Sequence, residues 1–67
     1  MNNIKKFRQE QKISQNKLAC NAKIDLRYLQ RIEKDEQIPT VFIAINISKA
    51  LGKKVEETFI SSILVDT

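Results

Sequence analysis

Apolar residues recur at helical spacing along nearly the whole chain. Ile4 and Phe7, with Arg8 beside them, share one face of a segment at about residues 3–11, and Leu18, Ala19 and Ala22 do the same over about residues 15–22. Leu29 and Ile32 form the stripe of a third segment that ends near Lys34. Val41, Ala44, Ile47, Ser48 and Leu51 mark a fourth, and a short fifth is predicted at about residues 55–59. Beyond it, Ile60, Ile63, Leu64 and Val65 suit either a helical turn or a short strand. No β-branched alternation is long enough for a sheet core, so the fold class is predicted to be all-α, a compact bundle of about five helices.

The polar residues between these stripes agree with that division. Ser14, Asp25 and Thr40 each precede an apolar stripe, where a side-chain oxygen can accept a first-turn amide. Pro39 ends the loop before the fourth helix and Gly52 stops that helix at its C-terminus. With no repeat or linker in view, residues 1–60 are expected to form the domain and residues 61–67 an apolar tail, a candidate dimer contact.

A chain of 67 residues buries only roughly 60% of its unfolded surface, so oligomerisation is the expected source of extra stability. One cysteine, Cys20, and no histidine rule out a disulfide framework and a structural zinc site, and no metal or cofactor is expected. A reducing, cytoplasmic setting fits this composition. The polar Met1, Asn2 and Asn3 and the lack of a long apolar run give no expectation of a signal peptide or membrane span. No enzyme is expected either. Acid-base histidine, a glycine-rich phosphate loop and a paired nucleophile are all missing, and the adjacent Glu56 and Glu57 are explained by the dipole of a helix start. No small-molecule ligand is evident.

Charge narrows the partner. Residues 1–34 carry nine basic and three acidic side chains, whereas the remainder carries three basic and five acidic ones. An electropositive front half is the footprint of a polyanion-binding face, although a solvated lysine-rich surface has the same composition.

The chemistry lies in residues 14–33. Two capped helices of about eight residues are separated by three, and the small Ala19 and Ala22 allow a close crossing. A helix-turn-helix needs that geometry, because its second helix must project into a major groove roughly 12 Å wide. With Leu29 and Ile32 turned inward, Leu26, Arg27, Gln30, Arg31 and Lys34 are expected to point outward. Arginine can bond guanine bidentately, glutamine can bond adenine, and leucine can touch a thymine methyl.

Four signals stand in order: Ile13-Ser14-Gln15 before Leu18-Ala19, then Tyr28-Leu29-Gln30-Arg31-Ile32-Glu33, then Ile38-Pro39-Thr40, then Ala50-Leu51-Gly52. Together they resemble the Cro and CI type of helix-turn-helix regulators, the XRE family, over nearly the whole chain. The resemblance implies that Gln15 and Asn16 contact phosphate and buttress a base-reading side chain. It places Leu26, Arg27 and Arg31 at base-reading positions, and Gln30, Lys34 and the Thr40 helix start at the groove edge or on phosphates. Arg8 and Glu33 match a pair that forms an internal salt bridge in the family. Lys23 and Asp35 stand where the family prefers glycine, at a cost of about 1 to 2 kcal/mol each if the backbone stays left-handed. Thr58 replaces a large apolar residue.

The partner implied is double-stranded DNA carrying an inverted-repeat operator, bound by a homodimer that acts as a transcriptional regulator, most simply a repressor. The alternative is an antitoxin, or a protein-interaction partner that pairs with a toxin or another regulator. Cys20 reads as inert packing. Tyr28 reads either as packing or as a phosphate contact. Val41, Phe42, Ile43 and Ile45 exceed what one buried stripe needs; core is the default reading, yet some of the surplus is expected to surface and, together with Ile60, Ile63 and Val65, to be the candidate dimer contact.

Overall fold

In the computed structural model, which describes the backbone of residues 2–63 and the side chains of residues 2–59, five helices follow one another: α1 (Ile4–Glu10), α2 (Gln15–Ala22), α3 (Leu26–Glu33), α4 (Val41–Leu51) and α5 (Val55–Ile63). No strand occurs among the described residues. The predicted all-α bundle is the fold, and its boundaries follow from local chemistry. Ser14 Oγ accepts from the Lys17 amide at 3.0 Å, an Asp25 carboxylate oxygen accepts from Arg27 at 2.9 Å, and Thr40 Oγ1 accepts from Ile43 at 3.2 Å. Each such cap is worth about 1 kcal/mol.

The two remaining starts are built differently. The Asn3 side chain makes no capping bond; instead Asn2 Oδ1 accepts from the Ile4 amide at 3.1 Å. At α5 the Glu57 carboxylate accepts from the Lys54 amide at 2.9 Å, the reach-back half of a capping box. Glu57 therefore does more than complement the helix dipole.

Asn2 and Asn3 also tie the chain start to the rest of the molecule. Asn2 Nδ2 donates to the Ile32 carbonyl at 2.8 Å, Asn3 Nδ2 donates to the Glu57 carbonyl at 2.8 Å, and the Asn3 amide donates to the Thr58 carbonyl at 2.8 Å. The Ile32 carbonyl near the end of α3 and the Glu57 and Thr58 carbonyls inside α5 gain donors from the chain start in this way.

Lys23 (φ 60°) and Asp35 (φ 61°) do adopt the left-handed backbone expected where glycine is missing, and Lys12 (φ 59°) is a third such residue just after α1. Among the described residues only the fourth left-handed position, the α4 cap at φ 69°, is a glycine, Gly52.

α2 packs most extensively on α4, α3 packs on α2, and α5 on α4. The core joins Ile4, Leu18, Leu29, Ile32, Ile47, Leu51 and Phe59, with Ala19, Ala22 and Ala44 keeping the axes close. Thr58 is fully buried, and its hydroxyl donates to the Lys54 carbonyl at 3.0 Å, so the polar replacement of an apolar residue is satisfied within its own helix. The expected end of the last helix at residue 59 is corrected: α5 continues to Ile63 across a non-helical Phe59 (φ −125°, ψ 27°). Of the two conformations open for the segment after Phe59, the helical one holds through Ile63. Residues 64–67, with Leu64 and Val65 of the expected tail, lie outside the described residues.

Candidate nucleic-acid interface

The turn between α2 and α3 is three residues long. Its left-handed Lys23 donates its amide to Cys20 at 3.1 Å and Ile24 donates to Ala19 at 3.0 Å, which closes the end of α2 and redirects the chain. Ile24 packs against the core, Asp25 caps α3, and α3 leaves the turn with Leu29 and Ile32 buried. The opposite face of α3 is in solvent, as the helical period requires. There Arg27, Gln30, Arg31 and Lys34, with Glu36 on the rim, surround a shallow concavity of about 210 Å³. Three cations against one acid make it electropositive, suited to phosphate and to the acceptor-rich edge of guanine.

The expected outward residues separate into groups. Asn16, Arg27, Arg31, Lys34 and Thr40 are exposed, while Gln15 and Gln30 are half-buried. Leu26 is a correction: it is half-buried and packs against the core. As the first residue of α3 its side chain tilts back over the turn, toward the helix N-terminus. Thr40 uses its hydroxyl to cap α4, so what remains for a ligand at this position is the free amides of the helix start.

Behind the concavity lies a buried polar network. Arg8 Nε donates to Glu33 Oε2 at 3.0 Å, with the two side chains only 12% and 5% exposed. The second arm, Nη2 to Oε1, spans 3.3 Å, and Nη1 donates to the Ile13 carbonyl at 3.2 Å. The internal salt bridge implied by the resemblance is present and bidentate. Gln15 Nε2 donates to Glu33 Oε1 at 3.1 Å, and Gln30 Nε2 donates to Gln15 Oε1 at 3.2 Å.

A helix-turn-helix family model matches residues 4–57. The chain belongs to this helix-turn-helix family, of the Cro and CI type. The match spans all of α1 to α4 and the start of α5, so it covers the projecting α3 and the ion pair beneath it. No curated protein matches the chain. As a member of the helix-turn-helix family it is a DNA-binding protein of the transcription-regulator kind, and that family is generally non-enzymatic. Among the described residues no helix is long and apolar enough to cross a membrane.

Three features escaped sequence reasoning. The roles of Asn2 and Asn3 were missed, although asparagine just before a first apolar position is itself a helix-start signal. The position of Glu36 on the rim depends on how the chain leaves α3. Cys20, expected to pack inertly, is exposed, because it sits one residue beyond the buried Leu18 and Ala19 on α2. Of the α4 surplus, Ile43 packs against the core, whereas Val41 (68%), Phe42 (79%) and Ile45 are exposed and form the share expected to surface; Ile38, just before the helix and not counted in that surplus, is 72% exposed.

Proposed function

We propose that this helix-turn-helix protein binds specific double-stranded DNA as a homodimer and represses transcription from an inverted-repeat operator. The observation that carries the reading is the solvent face of α3, where Arg27, Gln30, Arg31 and Lys34 converge on one electropositive concavity. Arg27 and Arg31 supply the bidentate base contacts, Leu26 gives at most an apolar edge, and Gln15, Asn16, Lys34 and the Thr40 helix start meet phosphates. The setting that fits is the cytoplasm, where the operator is. The deciding experiment is a selection from randomised duplexes, followed by affinities for the selected and a scrambled sequence over a range of salt. A steep salt slope with a selected-to-scrambled ratio above about a thousandfold supports the reading. Equal affinity for both sequences contradicts it.

The homodimer rests on the exposed apolar residues Ile38, Val41, Phe42 and Ile45, to which the segment from Ile60 to Val65 is added. Surface of this kind, close to the DNA face in the chain, suits a second copy. The same exposure favours the alternative reading as an antitoxin or partner of another regulator, in which a different protein covers these residues.

A further inference from the structure

The hydrogen bonds that end at Gln30 begin at the buried ion pair. Glu33, only 5% exposed, meets both arms of the Arg8 guanidinium with its two carboxylate oxygens, and a carboxylate has no hydrogen to donate. Whatever meets it must donate. Gln15 therefore turns its amino group to Glu33 (3.1 Å) and its carbonyl oxygen away, toward Gln30. The Gln30 carboxamide must in turn place its amino group against that oxygen, at 3.2 Å. Reversing Gln30 alone would set two amide oxygens against each other, and reversing both would set an amide oxygen against the carboxylate. The direction of each amide thus follows from the charge at Glu33.

We infer that the Arg8–Glu33 ion pair, acting through Gln15, fixes which atoms Gln30 presents to DNA and makes position 30 a reader of adenine. This rests on the DNA-binding reading above and deepens it. With one N–H taken by Gln15, Gln30 retains one N–H donor and its oxygen acceptor, beside Arg27 and Arg31 at the concavity. Adenine offers the complement in the major groove, an acceptor at N7 and a donor at N6, whereas guanine offers two acceptors. Gln30 thereby moves from the groove-edge role implied by resemblance to a base-reading one. Arg8, Glu33 and Gln15 are positioning residues that select a base without touching it.

The test is the base preference of the full chain, position by position, in a randomised duplex pool, for the wild type and for Gln30→Ala and Gln15→Leu. Gln15→Leu is the informative variant because it leaves the ion pair in place. The wild type should select adenine at one position and Gln30→Ala should abolish that preference. Gln15→Leu should lower it about five- to tenfold, within the discrimination of one bidentate contact, while the preferences supplied by Arg27 and Arg31 persist. A nuclear magnetic resonance spectrum of the free protein supplies a readout without DNA, in which the Gln30 side-chain amide must shift in Gln15→Leu. An unmoved Gln30 amide, an adenine preference that survives Gln15→Leu, or an equal loss at every position overturns the inference. A wild type with no preference anywhere, while the Gln30 amide does shift, overturns the sequence-specific DNA reading itself.

Discussion

At the scale of single residues the proposed DNA face separates two kinds of cation. Arg27 and Arg31 are exposed on the face that would enter the groove, while Lys34 lines the same concavity from just past the end of α3. Arg27→Ala and Arg31→Ala are each expected to weaken operator binding by about 1 to 3 kcal/mol and to relax one base position, whereas Lys34→Ala should weaken all duplexes alike and flatten the salt slope. Competition titrations of operator against random duplex check this, and unchanged ratios in both arginine variants would remove them from base reading. The three left-handed residues without glycine give an independent prediction. Lys12→Gly and Lys23→Gly should each stabilise the protein by about 1 kcal/mol, because a side chain at φ near +60° crowds the backbone and glycine does not. For a domain of this size that raises the melting temperature by roughly 4–8 °C, measurable by circular dichroism. At Asp35 the gain should be smaller, since Asn2 Nδ2 donates to its carboxylate at 3.1 Å and that bond is lost with the side chain.

At the scale of elements, the division into helices was legible wherever it depends on neighbours in sequence. Ser14, Asp25 and Thr40 cap the helices they were expected to cap, because a capping oxygen reaches only two or three residues ahead. The end of α5 was not legible: Ile60 and Ile63 continue a helical spacing past a residue, Phe59, whose own backbone is non-helical. The candidate site was legible as a list of side chains on α3. The inward lean of Leu26 and the chain from Glu33 to Gln30 were not, because they arise only when residues 8, 15, 30 and 33 meet in space. The Arg8–Glu33 bridge that joins α1 to the end of α3 is the element-scale prediction. Removing one partner strands a buried charge, so Arg8→Ala or Glu33→Ala should cost about 3 to 5 kcal/mol, far above the 0 to 1 kcal/mol of a surface pair. That is a large share of the stability such a small domain has. Urea melts of a cycle that includes Arg8→Lys, which keeps the charge and loses the fork, measure the coupling, and a value near zero would return the pair to ordinary surface behaviour.

At the scale of the whole molecule, one copy offers only the few base contacts of a single α3, too few to single out a site among the millions of competing sequences in a genome. A two-fold dimer doubles them, and both copies of α3 must then face the same side of the duplex. The half-sites should lie about 10 bp apart, centre to centre, or a multiple of that, within an inverted repeat. The surface available for the contact is the apolar group at Ile38, Val41, Phe42 and Ile45; the segment after Phe59 is the other candidate. Because α5 extends to Ile63, a chain ending at residue 59 shortens a helix as well as removing the tail. Phe42→Lys is the cleaner probe, since a side chain 79% exposed can be charged without disturbing the core. Phe42→Lys should keep the melting temperature of the monomeric fold, move the sedimentation coefficient from dimer to monomer at a given concentration, and abolish cooperative binding to the full operator while sparing weak binding to one half-site. If Phe42→Lys still sediments as a dimer and only the shortened chain becomes monomeric, the contact belongs to the end of α5. A wild-type chain that sediments as a monomer and occupies a single half-site at full affinity excludes the dimer on either surface.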